Sequence, residues 1–359
     1  MPSNLPLLVR IPSWLLFVSA YGCSGDSGNV STVPPPQLRA VAVTRLLETD
    51  SVYVGIATAL AVSRTNDYFV TEAFTRQILR FDSAGTLVEA MGRGGRGPDE
   101  FERPTEISAM DDSTLLVADD VRQDLVLWDL VHNRARKRLR YEGIAGSLAV
   151  GGGRILSTVF NFRRHTMAVQ WTAPYDTPTY FGKLPAYTSK HFGQAYGTVA
   201  VSTYNDTVAY VAGDSDVVRI ANANWTVIDS IPIPRRIRRG VPAHLDTSLS
   251  GGRNIYSVMN QLSVLWGVYR LSGNRFAIAH LDGNAGANGV GSVIYFTVVS
   301  KGGASRCVDV PIPTHWRKIQ PLMMFKGDSL YVLDQYSPSN DSTRAVTDIS
   351  KYIIGQDIC

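Results

Sequence analysis

Two stretches of this 359-residue chain have the same pattern of residues. Residues 68–72 are followed by residues 78–82, and residues 115–119 are followed by residues 126–129. In each copy an apolar run ends in an acidic residue and a second apolar run follows, and the copies lie 47 residues apart. A repeat of about 40 to 50 residues built from short alternating strands is typical of the blades of a β-propeller.

The second strand of this repeat unit can be located six times, each time after a group of turn-forming residues. The six copies are placed at Tyr68, Leu115, Ile155, Val208, Phe276 and Leu330. We therefore predict an all-β fold, a six-bladed β-propeller over residues 38–359, with four antiparallel strands in each blade. A β-sandwich also alternates strands and turns, but it does not repeat at the length of a blade.

One segment near the N-terminus is left over from this count. Residues 38–47 precede the first strand of the first blade, whereas the sixth unit ends after its third strand. We predict that the N-terminal segment pairs with the last blade as its fourth strand. This pairing would close the ring and remove the exposed sheet edges of an open end.

The first 37 residues have the composition of an export signal and a linker. Arg10 precedes an apolar stretch, residues 11–20, which is too short to span a membrane and is typical of a signal peptide. We predict a lipoprotein-type signal peptide at residues 1–22, lipidation of Cys23, and a flexible tether at residues 23–37. A plain secretory signal is the alternative, and either would place the protein in a bacterial cell envelope, in the periplasm or attached to the outer membrane.

Two cysteines remain after Cys23, namely Cys307 and Cys359. In an oxidising compartment these two residues could form a disulfide that pins the C-terminus. Whether their Cα atoms come within the roughly 7 Å that a disulfide requires is left open by the sequence.

The first two units carry the motifs of a known family. The motifs are Val117-Ala118-Asp119, residues 125–129, and the upstream glycines and prolines of residues 92–104. This pattern resembles the NHL-repeat group of six-bladed propellers, and in particular bacterial exported "6-bladed beta-propeller" proteins, many of them lipoproteins without known activity. The resemblance covers about residues 55–130. It implies that the glycines of residues 92–97 let the chain turn between blades.

Arginines are concentrated in the connections that a propeller places on one face. The candidate binding residues for an anionic ligand are Arg93, Arg96, Arg163, Arg164, Arg235, Arg236, Arg238 and Arg239. The guanidinium group suits carboxylate, phosphate or sulfate, so this face could bind an anionic small molecule, a polymer or a protein. The alternative is that these are ordinary solvated charges.

Four residues at matching ends of the second strands could form a metal site. They are Glu72, Asp119, His280 and Asp334, whose oxygen and imidazole groups suit a divalent cation. The resemblance to six-bladed hydrolases of the gluconolactonase type implies a metal near the channel. In NHL-type blades, however, a carboxylate at this position commonly binds nearby backbone N–H groups. No other cofactor is expected.

These observations lead to two hypotheses of function. The first is an exported, lipid-anchored binding module for a protein, a polymer or an anionic ligand, monomeric and attached to the membrane only through its lipid. The second is a metal-dependent enzyme of the lactonase or lyase kind with its site at the channel mouth. The net charge of +4 is too mild to indicate a nucleic acid partner.

Overall fold

The structure of the chain is a computed structural model. It describes residues 36–49, 51–161, 166–182, 199–204, 206–213, 215–240, 263–282, 293–302, 307–314, 322–337 and 345–355. All of the regular structure in these ranges is β-strand, arranged as six four-stranded sheets and one short two-stranded pair. The predicted six-bladed propeller is confirmed.

The strands follow the chain in blade order, after a first strand β1 (Ala42–Arg45). Blade 1 contains β2 (Ala57–Val62), β3 (Tyr68–Glu72), β4 (Gln77–Phe81) and β5 (Leu87–Met91). The short pair β6 (Arg93–Gly94) and β7 (Glu100–Phe101) leads to blade 2, which contains β8 (Pro104–Ala109), β9 (Thr114–Asp119), β10 (Asp124–Asp129) and β11 (Arg134–Arg140). Blade 3 contains β12 (Ile144–Gly151), β13 (Arg154–Asn161), β14 (Thr166–Thr172) and β15 (Thr179–Phe181).

The remaining three blades have the same order of strands. Blade 4 contains β16 (Val199–Tyr204), β17 (Thr207–Ala212), β18 (Val217–Ala221) and β19 (Val227–Pro232). Blade 5 contains β20 (Ser263–Arg270), β21 (Arg275–Asp282), β22 (Val293–Ser300) and β23 (Val310–Pro311), and blade 6 contains β24 (Leu322–Lys326), β25 (Ser329–Tyr336) and β26 (Val346–Ile353). The first strand of each blade lies next to the central channel.

The N-terminal strand β1 closes the ring, as predicted. It pairs antiparallel with β26, so that blade 6 has the order β1-β26-β25-β24. Leu46, the residue after β1, is buried in the cluster between blades 6 and 1. Leu47 then forms a parallel bridge to Thr86 of blade 1. The segment therefore joins the last blade to the first.

Apolar residues on both faces of each blade form the core. In β9, Leu115 and Val117 pack towards blade 1, whereas Leu116 and Ala118 pack towards blade 3. All six residues of this strand are buried, because a blade lies between two neighbours and has no solvent-facing side. The rigid stack fixes the positions of the connecting loops, and loops on a rigid scaffold are where binding residues are concentrated.

Candidate functional site

In the glycine-rich loop between blades 1 and 2, the carboxylate of Glu100 occupies the hydrogen-bond donors that an anionic ligand would need. The Glu100 carboxylate accepts a hydrogen bond from the Gly97 N–H at 2.6 Å and another from Arg93 Nε at 2.8 Å. The Gly97 contact is the main reason that the pKa of Glu100 is lowered. Gly92 has a φ of +68°, and a Cβ there would lie 2.5 Å from the Phe101 ring. The glycines therefore shape a tight connection, as expected from the resemblance.

The arginines predicted to bind an anion are mostly engaged with carboxylates of the chain itself. Arg93 contacts Glu100, and Arg96 contacts Glu102 at 2.6 Å. Arg163 and Arg164 lie outside the described residues. Surface pairs of this kind are worth about 0–1 kcal/mol each, but they neutralise the charge that a ligand would meet.

The arginine run that follows blade 4 is also bound to local carboxylates. Arg235 and Arg238 both contact Asp216, and Arg239 contacts Asp282. The Arg238 side chain is buried, and burial is the main cause of the lowering of its pKa. Arg236 is exposed, and the hydrogen bond described for it is one that its backbone N–H donates to Asp309. These contacts do not support a patch of four available guanidinium groups.

Asp309 holds the backbone of this arginine run in place. One of its carboxylate oxygens accepts hydrogen bonds from the N–H groups of Arg236, Ile237 and Arg238, at 2.8, 2.5 and 3.2 Å. The other oxygen accepts a hydrogen bond from Thr297 Oγ1 at 3.1 Å. Asp309 is completely buried, so it acts as a fixed internal anchor for the loop.

Two of the predicted metal ligands bind backbone N–H groups instead. Glu72 accepts hydrogen bonds from the Ile56 N–H at 3.1 Å and the Thr75 N–H at 2.6 Å. Asp119 accepts hydrogen bonds from the N–H groups of Glu102 and Arg103, at 2.8 and 3.0 Å. Both side chains are buried and connect the second strand of a blade to an adjacent loop. This is the alternative role that the sequence left open.

The other two predicted ligands belong to separate surroundings. His280 is buried in blade 5, where it stacks on Tyr295 and its Nε2 lies 3.6 Å from Asp309 Oδ1. Burial is the main cause of the lowered pKa of His280. Asp334 is buried within β25 of blade 6. Among the described residues, no three metal-ligating side chains come together, so the four residues do not form one site there.

The outer strand of blade 2 carries a basic edge that the sequence-based search for sites missed. Five of the seven residues of β11 are cationic. Arg138 turns inward to contact Asp124, and Lys137 contacts Asp176 of blade 3. Arg134, Arg136 and Arg140 are exposed, and within the described part of the chain their side chains form no hydrogen bond or ion pair. We call these three residues the basic edge.

A surface cavity adjoins one end of the basic edge. It has a volume of about 410 Å³ and is lined by His132, Arg134 and Arg136, together with Asp99 and Asp129. The two carboxylates already have partners, because Asp99 accepts a hydrogen bond from the Ala135 N–H and Asp129 binds His132. The His132 contact is the main cause that lowers the pKa of Asp129 to about 2. The guanidinium groups are thus the available charges.

Cys307 is disulfide-bonded and fully buried in blade 5. Its predicted partner, Cys359, lies outside the described residues, as does Cys23. The described residues contain no helix long and apolar enough to cross a bilayer.

Comparisons with known proteins agree on the fold. Residues 37–140 match the model of the family DUF5128, described as 6-bladed beta-propeller. No curated protein matches the chain. The match does not extend to the NHL repeat as such, so that resemblance stays a prediction.

Solved structures with similar folds have low sequence identity to this chain, and two of them are from Bacteroides. A member of the duf4221 family from Bacteroides vulgatus has a TM-score of 0.64 and 10% identity, over 88% of this chain and 97% of that chain. A protein of Bacteroides fragilis described as exported has a TM-score of 0.57 and 10% identity, over 88% and 95%. The Cps50 (Swd1) β-propeller domain of Myceliophteria thermophila has a TM-score of 0.51 and 11% identity, over 86% and 99%. The comparisons thus establish a six-bladed β-propeller with bacterial structural relatives.

Proposed function

We propose that this chain is an exported binding module that holds an acidic polymer, such as a sulfated or carboxylated polysaccharide, along the basic edge of blade 2. The observation that carries the proposal is that Arg134, Arg136 and Arg140 are exposed without a hydrogen bond or ion pair among the described residues. The arginines of the loops, by contrast, are largely neutralised by carboxylates of the chain.

The geometry of the basic edge suits an extended ligand. Arg134 and Arg140 lie six residues apart on one strand, so the edge is about 20 Å long at the rise of a β-strand. The guanidinium fork binds planar carboxylates and sulfates through two hydrogen bonds. Like charges held close together repel one another unless a partner compensates, so the edge favours a polyanion over a single small anion.

Charged residues on an edge strand also prevent pairing with other sheets. That role requires only charge at the edge and is served equally by any cation. It predicts no affinity for a polyanion, so a binding measurement distinguishes the two roles.

The test is a titration of the protein with dextran sulfate, with neutral dextran of the same length as the control. We expect binding to dextran sulfate only, and a loss of affinity of about tenfold or more between roughly 0.05 and 0.3 M salt, because exposed charge pairs are screened. Equal affinity for neutral dextran, or no binding to either polymer at low salt, would contradict the proposal.

The proposal includes attachment to the cell envelope through Cys23. Residues 1–35 lie outside the described residues, and the support for this part is the sequence of the signal peptide and of Gly22-Cys23. In the substitution Cys23→Ser the thiol that would carry the lipid is absent. We expect this variant to leave the membrane fraction and appear in the soluble fraction, as judged by fractionation and immunoblotting. If the variant stays with the membrane to the same extent as the unchanged chain, the lipid anchor is wrong.

A further inference from the structure

The central channel contains a cavity lined by one half-buried carboxyl group, that of Glu106. The cavity has a volume of about 370 Å³, near the lower end of the range for small-molecule sites. Residues of all six innermost strands line it, among them Leu60, Ile107, Leu148, Val201, Val268 and Phe325. The cavity opens at the face of the propeller where the first and second strands of each blade are connected. It lies away from the basic edge, which is on the outermost strand of blade 2.

Glu106 on β8 places a carboxyl group in this cavity, whose lining combines apolar side chains of the innermost strands with polar groups. Within the described residues no hydrogen bond or ion pair engages that carboxylate. Burial raises the pKa of Glu106 to about 8, and no compensating contact lowers it. Nearly every other buried carboxylate described above is held by backbone N–H groups or by an arginine. Glu106 therefore stands apart as an acidic group that lacks a partner among the described residues.

Tyr269 of blade 5 supplies an aromatic wall in the same cavity. Its ring lies 4.8 Å from that of Phe325, centroid to centroid, and it covers Gly267, where a Cβ would lie 2.4 Å from the ring. Burial, and next the charge of Glu106, raise the pKa of Tyr269. The two side chains thus act on each other within one channel, although they come from opposite blades of the ring. An aromatic ring beside a carboxylate is a favourable arrangement for an organic cation.

The charged groups at the mouth of the channel are Arg64, Arg270, Lys326 and Asp111. Lys326 donates hydrogen bonds to the carbonyl oxygens of Ser63 and Arg64, and Arg270 lies over the Phe276 ring. These contacts hold both cations at the rim. Asp111 accepts hydrogen bonds from Ser113 of its own turn. Arg64 is exposed. None of these groups has a described contact with Glu106.

We propose that the channel binds a small organic ammonium ion, with its charged group between Glu106 and Tyr269 and its apolar body against the innermost strands. The ammonium group would supply the partner that the carboxylate lacks, and the body would displace water from apolar walls. This site is independent of the polyanion proposal, because it uses a different surface and a ligand of opposite charge.

The experiment compares three probes with one aromatic body, namely phenethylammonium, 2-phenylethanol and 3-phenylpropionate. Isothermal titration calorimetry of the full chain is carried out at pH 7 in buffers of different ionisation enthalpy. We expect phenethylammonium to bind best and to release about one proton per bound ligand, because a protonated Glu106 must ionise to form the ion pair. The variant Glu106→Gln is expected to bind it about tenfold more weakly, with no proton release.

Glu102→Gln is the matched control, since Glu102 pairs with Arg96 at the surface. It should bind phenethylammonium like the unchanged chain. Equal binding of 2-phenylethanol would overturn the proposal, since only the apolar walls would then be needed. Tighter binding of 3-phenylpropionate would overturn it as well. The comparison of probes on the unchanged chain needs no variant to fold.

The same carboxyl predicts a pH dependence of stability. The pKa of Glu106 in the folded chain, about 8, lies above its ordinary value of 4.5, so the folded state binds more protons between these two values. The proton on Glu106 therefore stabilises the folded state fully below about pH 4.5. This part of the free energy of unfolding is lost as the pH rises towards 8, by at most about 1.4 kcal/mol for each pH unit. His280, whose pKa is lowered, acts in the opposite direction, but only below about pH 6.5.

Urea unfolding at a series of pH values checks this prediction. The difference in free energy of unfolding between Glu106→Gln and the unchanged chain should grow in favour of the variant from pH 6.5 to 8. A difference that does not change across that range would show that Glu106 is ionised throughout.

Discussion

A chain that begins at residue 48, and so lacks β1 with Leu46 and Leu47, is expected to lose its stable fold. β1 contributes a full strand of hydrogen bonds to blade 6, and Arg45 forms a bidentate pair with Asp348 at 2.9 and 3.1 Å. Burial of Leu46 adds about 1.5–3 kcal/mol. Together these terms amount to about 5 kcal/mol or more, comparable with the whole stability of many domains.

The measurement is thermal unfolding of the shortened chain beside one that begins at residue 36, both produced without the leader. We expect the chain from residue 36 to unfold in one cooperative transition. The shortened chain should aggregate or unfold at a much lower temperature, since β26 would become an exposed edge. Equal melting temperatures for the two chains would mean that β1 does not close the ring in solution.

Asp309→Ala is expected to destabilise the fold by about 3–5 kcal/mol, because it removes the charged acceptor of several buried hydrogen bonds and leaves their donors unsatisfied. Three backbone N–H groups of the arginine run would lose their hydrogen-bond acceptor. The Thr297 hydroxyl would lose its acceptor as well, and His280 would lose the carboxylate that lies 3.6 Å from its Nε2. The residue also has a φ of +50°, which alanine tolerates poorly. The free energy of unfolding from urea denaturation gives the magnitude.

Two further variants separate the causes. Asparagine tolerates a positive φ, so Asp309→Asn should retain part of the stability and lose only what the charge contributes. Asp206→Ala removes an exposed carboxylate that lies 4.0 Å from the Arg154 guanidinium, and it should cost less than about 0.5 kcal/mol. If Asp309→Ala costs no more than Asp206→Ala, then Asp309 does not anchor the loop.

The architecture could be predicted from the sequence because it depends on local, repeated signals. Apolar runs separated by turn residues mark each blade, and a leftover strand at one end matched a missing strand at the other. The apolar run and the turn before it predict a strand over Thr114–Asp119 in blade 2, and β9 has these bounds. The second strand of blade 4, predicted over Val208–Gly213, lies one residue earlier at Thr207–Ala212, because the end of a strand depends on the geometry of the adjoining turn more than on the apolar pattern.

The pairing of the loop arginines with carboxylates of the chain could not be predicted in the same way. Arg239 contacts Asp282, 43 residues away, and Arg235 contacts Asp216, 19 residues away. The Arg239 contact requires blade 5 to pack beside blade 4, and the Arg235 contact depends on the register of β18 with β19, where the Ile233 N–H donates to the Asp216 carbonyl oxygen at 2.7 Å. An arginine run in a sequence therefore indicates charge, but the fold decides how much of that charge is available.

The basic edge did have a signal in the sequence. The segment Arg134–Arg140 reads RARKRLR, and the repeat pattern predicts that Arg134–Leu139 form the outer strand of blade 2, where side chains can point to solvent. A count of charge by strand position, in addition to loop position, would have found it. Glu106 has a weaker signal, a lone acidic residue in a first strand, and only the geometry of the channel distinguishes it.

The most direct test of the proposed function compares two triple variants with the same change in charge. One replaces Arg134, Arg136 and Arg140 with serine, and the other replaces Arg93, Arg96 and Arg103, which pair with Glu100, Glu102 and Asp120. Binding to dextran sulfate is measured for both at low salt. We predict that the first variant loses nearly all affinity, about a hundredfold, whereas the second loses less than about tenfold. Equal losses would contradict the account, since net charge alone would then explain the binding.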